Sequence, residues 1–398
     1  MRIAYITETF PPEINGVSLT TARAVHHLRR QGHAVQVIRP RQAHEATGSL
    51  EDTGEFGHTV DPLEWRTAGA PIPMYPGLRF GWATSGGLRR LWRRHGVPQL
   101  VHVATPGPLS WAALRAARAQ GLPATADFRT NFHAYSQHYG LGWLQPAVLA
   151  YLRGLHNMAH LTFVPTLSLA TELAHRGFAR LSVIGRGVDA SVFSPAERDE
   201  GLRRAWGVGP DDRVLLYVGR LAAEKNVSLA LDTFEYLRRR QPGLRMVVAG
   251  EGPWRARLAA AYPEVRFVGV QRASALARCY ASADVFLFPS LTDTFGNVVL
   301  EALSSGLSVV AFDSAGASTL IESGYNGWLA TPEDRAGFFR AAELALDESA
   351  PHGALRQRAR TLALRSDWET ALQGFEQQLQ SVVEQVMSPR REHHAALA

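Results

Sequence analysis

Short apolar runs alternate with amphipathic segments along most of the chain. Residues 2–7 form the first run, a helical pattern covers residues 17–31, and a second run follows at residues 34–38. Apolar runs of this length bounded by turn residues indicate buried strands, and their alternation with helices indicates parallel pairing. The sequence therefore predicts an α/β fold built from doubly wound, Rossmann-like sheets.

The alternation stops once and then restarts, which predicts two domains. Further strands are expected at residues 100–104, 123–127, 161–165, 214–219, 245–249, 265–268, 285–288 and 308–312. Residues 182–195, rich in glycine and ending in proline, are typical of a passage between domains. We expect an amino-terminal domain over residues 1–190, a carboxy-terminal domain over 191–367, a closing helix over 368–387 and a disordered tail over 388–398.

Residues 41–94 depart from this pattern. Residues 71–81 are punctuated by prolines and are expected to form a long loop. Residues 86–95, GGLRRLWRRH, predict a helix in which Trp92 and two leucines accompany Arg89, Arg90, Arg93 and Arg94. A basic amphipathic helix with a tryptophan is typical of binding to anionic lipid headgroups. It is equally typical of a solvated basic face over a core stripe, and both interpretations stay open.

Composition describes an ordinary globular protein. The 398 residues are 46% hydrophobic and 20% charged, enough for two or three cores. No apolar run of about 18 residues is present to span a membrane, and the first residues predict a strand rather than a signal peptide. The single cysteine, Cys279, cannot form an internal disulfide. We therefore expect a cytoplasmic protein.

The net charge of +6 comes almost wholly from arginine, because Lys225 is the only lysine. A basic excess suits a nucleic acid, an anionic membrane or an anionic substrate. The sequence contains no zinc-finger spacing, RNP-like aromatic motif or basic repeat, so a nucleic-acid partner is not expected. No Asp-x-Asp motif is evident either, and we expect no metal site.

One stretch, residues 289–306, combines a strand end, a polar loop and a helix start. It reads PSLTDTFGNVVLEALSSG, with Asp293 in the loop and Glu301 in the helix. Ligands of open α/β sheets bind outside the carboxyl ends of the strands, where amides at a helix start favour anions and hydroxyl oxygens. The two carboxylates are therefore candidate ligand contacts, and the alternative is that they complement the helix dipole.

Three other turns follow predicted strands in the same way. Gly16 directly precedes a helix, where a backbone without a side chain lets a phosphate approach. Residues 219–226, GRLAAEKN, place Arg220 and Lys225 at a strand end, although such a pair can also be an ordinary exposed one. Gly250 and Gly252 belong to a turn after the next strand.

This combination resembles the retaining glycosyltransferases of family 4 over nearly the whole chain. That family carries an acidic pair, usually Glu, seven residues, Glu, with Phe-Gly just after the first acid. Here Phe295-Gly296 is in place between Asp293 and Glu301, and the first acid is one methylene shorter. The resemblance implies a GT-B fold, in which an acceptor domain and a following donor domain face across a cleft and the closing helix packs back toward the first domain.

The resemblance also implies a role for each motif. Asp293 would meet hydroxyls of the donor sugar and Glu301 the ribose of the sugar nucleotide. Arg220 and Lys225 would neutralise the diphosphate that accumulates charge as the glycosidic bond breaks. His133, in the loop after a strand, would contact the sugar near its anomeric carbon. The remaining donor contacts would be Gly16, Gly250, Gly252, Thr294, Phe295, Gly296 and Asn297.

We therefore expect a metal-independent hexosyltransferase that retains the anomeric configuration and needs no cofactor beyond its nucleotide sugar. Residues 295–306 and 127–133 are similar to bacterial lipid glycosyltransferases, including GDP-mannose-dependent α-mannosyltransferases and sulfoquinovosyl transferases. A mannose donor and a lipid or glycan acceptor are favoured, with an anionic membrane surface as a further partner. A UDP-sugar-dependent lipid glycosyltransferase, a sugar-nucleotide epimerase of the same architecture and a non-catalytic nucleotide-sugar binding protein are the alternatives.

Overall fold

The computed structural model describes residues 1–13, 15–42, 45, 56–58, 61–72, 75–129, 145–347 and 353–395. These residues fall into two compact units. The first comprises the described residues of Met1–Thr130, Pro146–Ile184 and Leu372–Ala398, and the second comprises Gln145 and those of Gly185–Ala371.

One sheet organises the first unit. Its strands are β1 (Arg2–Ile6), β2 (Ala34–Pro40), β3 (Phe56–His58), β4 (Glu64–Ile72), β5 (Tyr75–Trp82), β6 (Leu100–Val103), β7 (Ala124–Asp127), β8 (Leu161–Val164) and β9 (Leu181–Val183). Within the described residues their order is β3-β4-β2-β1-β6-β7-β8-β9, with β5 paired to β4. The helices are α1 (Gly16–Arg30), α2 (Ser85–His95), α3 (Pro108–Gln120), α4 (Gln145–His156) and α5 (Leu167–His175).

Both faces of this sheet are buried, as parallel sheets require. On β1, Ala4 and Ile6 enter one apolar cluster, while Ile3 and Tyr5 enter the cluster on the opposite face. The helix at the carboxyl end of the chain covers that second face with Phe375, Leu379 and Val382. The chain therefore returns to the first sheet at its end.

The second unit carries a smaller sheet in which, as described, every pairing is parallel. Its strands are β10 (Val214–Val218), β11 (Arg245–Ala249), β12 (Arg266–Gly269), β13 (Val285–Phe288), β14 (Ser308–Phe312) and β15 (Trp328–Ala330). Their order is β12-β11-β10-β13-β14-β15. The helices are α6 (Glu200–Ala205), α7 (Val227–Arg238), α8 (Arg255–Ala261), α9 (Ala273–Ala281), α10 (Asn297–Ser304), α11 (Ala315–Leu320), α12 (Arg335–Asp347), α13 (Ala354–Ala363) and α14 (Trp368–Ala395), the last of which continues into the first unit.

The parallel α/β architecture predicted from the alternation is confirmed, but the expected loop at residues 71–81 is wrong. β4 and β5 form an antiparallel pair there, with Gly69 opposite Gly81 and a register shift between Pro71 and Ile72. Prolines are compatible with strands at such irregularities, where a ladder hydrogen bond is not needed. The sequence shows the prolines but not the partner strand that accommodates them.

Two further expectations differ from the structure. Trp92, counted from sequence among the lipid-facing residues of the basic helix, is fully buried with Leu88 and Leu91 in the core. Helix α14 continues to Ala395, although a disordered tail was expected from residue 388. Four of its last eight residues, Arg390, Arg391, Glu392 and Ala395, are strong helix formers.

No helix in the described part of the chain is both long and apolar enough to cross a membrane.

Candidate active site

Three loops of the second unit leave adjacent strands at one edge of the sheet. β10 lies between β11 and β13, and both pairings are parallel. The carboxyl ends of these strands therefore lie side by side, where ligands bind in open α/β sheets. The loops that follow them carry Arg220 and Lys225, Gly250 and Gly252, and Asp293.

An ion pair joins the first and third of these loops. Lys225 Nζ lies 2.6 Å from Asp293 Oδ1, and the two side chains are 19% and 23% exposed. A short 3-10 turn, Ala223–Lys225, presents the lysine, and the following residue, Asn226, adopts a left-handed conformation with φ of 50°. Asn226 Nδ2 donates to the carbonyl oxygen of Pro289 over 3.3 Å, and Thr292 Oγ1 donates to that of Glu224 over 3.0 Å. The structure thus brings together Lys225 and Asp293, which are 68 positions apart in sequence.

Arg220 has an acidic neighbour inside its own loop. Its NH1 lies 3.3 Å from Glu224 Oε1, and the Glu224 side chain is only 1% exposed while that of Arg220 is 27% exposed. A buried carboxylate needs a cationic partner, because desolvation without one is costly. Glu224 therefore fixes the guanidinium at the edge of the site, a partner that the sequence analysis did not single out.

Gly250 and Gly252 let two loops approach each other backbone to backbone. At Gly250, whose φ is 146°, a Cβ atom would lie 1.9 Å from the carbonyl oxygen of Gly219. At Gly252 it would lie 2.5 Å from the carbonyl oxygen of Leu221. Leu221 N donates to the Glu251 carbonyl, and Trp254 N donates to the Leu221 carbonyl. Both glycines therefore shape the site by packing, whether or not they also contact a ligand.

Helix α10 begins at the same edge of the sheet. Gly296 is its N-cap, with φ of 77°, and this residue has no side chain with which to cap the helix. The loop before it is held tightly: Phe295 is buried, and a Cβ at Gly316 would lie 2.0 Å from the Phe295 carbonyl oxygen. Thr294 and Asn297 flank this turn. The amide donors at a helix start favour an anion or hydroxyl oxygens.

Glu301 lies in the second turn of α10 and is held by a tyrosine from α9. Tyr280 donates its phenol proton to Glu301 Oε2 over 2.9 Å, and the tyrosine is completely buried. Burial, together with the neighbouring Glu301 carboxylate, raises the pKa of Tyr280 well above its usual value. The phenol therefore stays a hydrogen-bond donor. Sequence reasoning did not identify Tyr280, since no local pattern connects positions 280 and 301.

Gly16 lies in the first unit, at the first position of α1. Asn15 caps that helix by accepting from Ser18 N over 2.8 Å, and its amide donates to Thr9 Oγ1, also over 2.8 Å. Thr9 in turn donates to Glu13 Oε2. A polar network thus fixes the loop before Gly16.

His133 lies outside the described residues, but the segment that leads toward it is well anchored. Asp127 Oδ2 lies 3.2 Å from His102 Nε2 and pairs with Arg129. His102 is fully buried, with its Nδ1 2.9 Å from Thr125 Oγ1. His102 therefore has a structural part in this network.

Family models match both parts of the chain. Residues 14–192 match "Glycosyltransferase Family 4" and residues 212–348 match "Glycosyl transferases group 1". A GDP-mannose-dependent alpha-mannosyltransferase of Mycolicibacterium smegmatis is 36% identical over 92% of this chain and 92% of its own length. This chain belongs to glycosyltransferase family 4. The sulfoquinovosyl transferase of Arabidopsis thaliana is 30% identical over 69% of this chain and 55% of its own length.

Solved structures confirm the expected GT-B fold for this family 4 glycosyltransferase. Sucrose-phosphate synthase from Thermosynechococcus elongatus matches with a TM-score of 0.76 at 16% identity, over 96% of this chain and 98% of that one. Anabaena HepE in complex with UDP-glucose matches with a TM-score of 0.71 at 18% identity, over 96% of this chain and all of that one. The family also settles the choice among the sequence-based alternatives in favour of a transferase.

This glycosyltransferase also contains a buried acid, Glu8, that sequence reasoning did not identify. It follows β1, is 6% exposed, and faces the amide groups of Gly81 and Leu109. Burial raises the pKa of Glu8 from 4.5 to about 8, although those amides oppose the shift. A Cβ at Gly107 would lie 1.9 Å from Glu8 Oε1, so Gly107 makes room for the acid. Glu8 is therefore protonated near neutral pH.

We expect Glu8→Gln to remove a pH dependence of stability. Because the folded-state pKa is raised, the folded protein binds more protons than the unfolded chain between about pH 4.5 and 8. The contribution of Glu8 is thus complete below this window and is lost as the pH rises through it. The free energy of unfolding of the wild type should fall relative to the variant by up to about 1.4 kcal/mol per pH unit.

Urea unfolding at several pH values measures this difference. Glu264→Gln, at an exposed glutamate, is the matched control and should keep the wild-type slope. Parallel pH profiles for the wild type and Glu8→Gln would contradict the assignment of a neutral, buried acid.

Proposed function

We propose that this glycosyltransferase transfers mannose from GDP-mannose to a lipid or glycan acceptor, with retention of configuration at the anomeric carbon. The observation that carries the proposal is the Lys225–Asp293 pair, with Arg220 in the loop of Lys225 and the start of α10, capped by Gly296, at the same sheet edge. A nucleotide sugar presents a diphosphate and a hydroxylated ring, which require cations and carboxylate or amide partners respectively. The mannosyltransferase relatives support the choice of donor.

In the proposed reaction, each of these residues acts at one step or on one part of the donor. The bond between the anomeric carbon and the diphosphate oxygen breaks, and Arg220 and Lys225 offset the charge that develops on the leaving group. An acceptor hydroxyl oxygen forms the new bond on the same face, and its proton leaves with the diphosphate. Asp293 holds sugar hydroxyls and Glu301 the ribose, while His133 is assigned to the sugar near the reacting carbon through the family resemblance.

The donor assay tests this proposal directly. We expect product from GDP-mannose with a lipid acceptor, an α-linkage by NMR, and full activity with excess chelator present, since Arg220 and Lys225 take the place of a divalent metal at the diphosphate. Activity that is lost with chelator and restored by magnesium or manganese would contradict metal independence. A β-linked product would contradict retention.

A UDP-sugar donor is the second candidate. A glucosyl or sulfoquinovosyl group on such a donor is favoured by the Arabidopsis sulfoquinovosyl transferase and by an alpha-monoglucosyldiacylglycerol synthase of Streptococcus pneumoniae, which is 25% identical over 88% of this chain and 80% of its own length. The same assay, run with UDP-glucose and UDP-sulfoquinovose in parallel with GDP-mannose, distinguishes the two donors.

We expect Lys225→Arg to be a damaging change although both residues are cationic. The ammonium reaches Asp293 at 2.6 Å and is one compact charge, whereas a guanidinium is a planar fork that needs more room. A charge-assisted hydrogen bond to the diphosphate contributes about 1.5–3 kcal/mol, so Lys225→Ala should lower kcat/KM roughly ten- to a hundredfold. Lys225→Arg should restore only part of that loss.

Steady-state kinetics with the preferred donor measure both variants. Arg239→Ala, at an exposed arginine of the same unit, is the control and should keep wild-type kcat/KM. An arginine variant as active as the wild type would show that position 225 requires positive charge alone.

We also propose that the enzyme works at the inner face of the cytoplasmic membrane and binds anionic lipid through α2. With Trp92 buried, the interaction rests on four exposed arginines, each worth up to about 1 kcal/mol near anionic headgroups. These are Arg89, Arg90, Arg93 and Arg94. Trp82, which is 51% exposed and ends β5 just before the helix, offers an apolar contact beside them.

Replacing these four arginines by serine should lower cosedimentation with anionic vesicles at least tenfold, and added salt should lower binding of the wild type in the same way. The control carries the same charge change at four other exposed arginines, Arg204, Arg239, Arg340 and Arg365. Equal losses in both quadruple variants, or equal binding to neutral vesicles, would contradict a role for α2.

A further inference from the structure

Tyr280 is a polar group enclosed by aromatic side chains. Its ring lies 5.7 Å from that of Phe193 and 5.6 Å from that of Phe286, measured between centroids, and the residue is 0% exposed. A buried hydroxyl requires a partner, and this one donates to Glu301 Oε2 over 2.9 Å. The tyrosine therefore joins α9 to α10 through one directional bond inside the core.

This bond restricts the side chain of Glu301, which an apolar residue at position 280 could not do. A glutamate side chain has three rotatable bonds, and a partly exposed one samples several rotamers. Holding Oε2 against a fixed phenol selects one rotamer and one plane for the carboxylate. The ring of Tyr280 cannot move to follow the acid, because Phe193 and Phe286 pack against it.

We propose that Tyr280 is a positioning residue for recognition of the nucleotide ribose, acting by orienting the carboxylate of Glu301. This inference rests on the proposed ribose contact of Glu301. A carboxylate oxygen already held in place accepts from a ribose hydroxyl without losing further side-chain entropy. Without the phenol, the carboxylate loses the bond that fixes Oε2, so more of its ordering falls to the moment when the donor binds, and its preference for a hydroxylated ribose weakens.

The test compares ribonucleotides with their deoxy counterparts. Calorimetry would measure the Kd of GDP, 2′-deoxy-GDP and 3′-deoxy-GDP, and of the corresponding UDP set, for the wild type and for Tyr280→Phe. Removing a hydrogen bond to a charged group lowers binding affinity roughly tenfold or more. The wild type should therefore bind at least one deoxynucleotide about tenfold more weakly than the corresponding ribonucleotide. We call the ratio of the Kd of the deoxynucleotide to that of the ribonucleotide the deoxy penalty. Tyr280→Phe should reduce this deoxy penalty to about threefold or less and leave the affinity for the deoxynucleotide nearly unchanged.

Two further variants separate positioning from general damage. Glu301→Gln should abolish the penalty, since it removes the charged acceptor itself. Tyr262→Phe is the matched control, because Tyr262 also donates to a carboxylate, Asp232 Oδ1 at 2.7 Å, elsewhere in the same unit. It should keep the full wild-type penalty. With the preferred donor, Tyr280→Phe should raise KM and leave kcat within about twofold, as expected for binding lost equally from ground and transition states.

The outcomes are distinguishable. A full deoxy penalty in a folded Tyr280→Phe protein overturns the positioning role of Tyr280. A full penalty in Glu301→Gln, or none in the wild type, overturns the ribose contact and with it this inference, whereas failure to transfer any sugar overturns the proposed function. If Tyr280→Phe does not fold, Glu301→Asp serves instead: its shorter side chain withdraws from the phenol and should lose the penalty, and a full penalty there overturns the inference.

Discussion

The parallel pairing of β10 between β11 and β13 is the constraint on which the candidate site of the second unit depends. Both faces of this sheet are buried, with Leu216 and Leu215 in opposite apolar clusters, so the strands cannot shift register without exposing core residues. Because the register of the strands is fixed, the relative positions of their carboxyl ends are fixed as well. The three loops that leave those ends therefore meet at one edge, although their residues are far apart in sequence.

Charge at that edge is balanced before any donor binds. Buried Glu224 faces Arg220, and Asp293 faces Lys225, so each cation has an acidic partner within 3.3 Å. These ion pairs lower the net electrostatic attraction of the site for a diphosphate. They also hold the long cationic side chains in place, so less side-chain entropy is lost when a ligand binds. A site arranged in this way favours orientation of the leaving group over raw affinity, which suits a reaction in which charge develops as a bond breaks.

Sequence reasoning succeeded where the information is local. Ten of the fifteen strands that the structure describes follow from apolar runs, namely β1, β2, β6 to β8 and β10 to β14. The motif residues of the second unit follow from their place at strand ends. It did not identify Tyr280 as the partner of Glu301, because the two residues are 21 positions apart. It did not identify Glu224 as the partner of Arg220, because nothing in that charged loop indicates that the acid is buried. The β4–β5 pair was missed for the same reason, because proline content does not reveal a partner strand. The sequence left two interpretations of the basic helix open, and tertiary packing decides that Trp92 belongs to the core.

Close backbone packing shapes the loops of the candidate site. Gly250, Gly252 and Gly316 each remove a Cβ that would fall within 2.5 Å of a carbonyl oxygen, and Gly296 adopts a positive φ at the start of α10. Main chain packed against main chain leaves little room for loops to move independently. Their amides are thereby held in fixed directions, and the bond from Tyr280 to Glu301 adds a directional link between α9 and α10. A fold shared at 16% identity does not by itself determine a donor, because specificity depends on the residues at the site rather than on the fold.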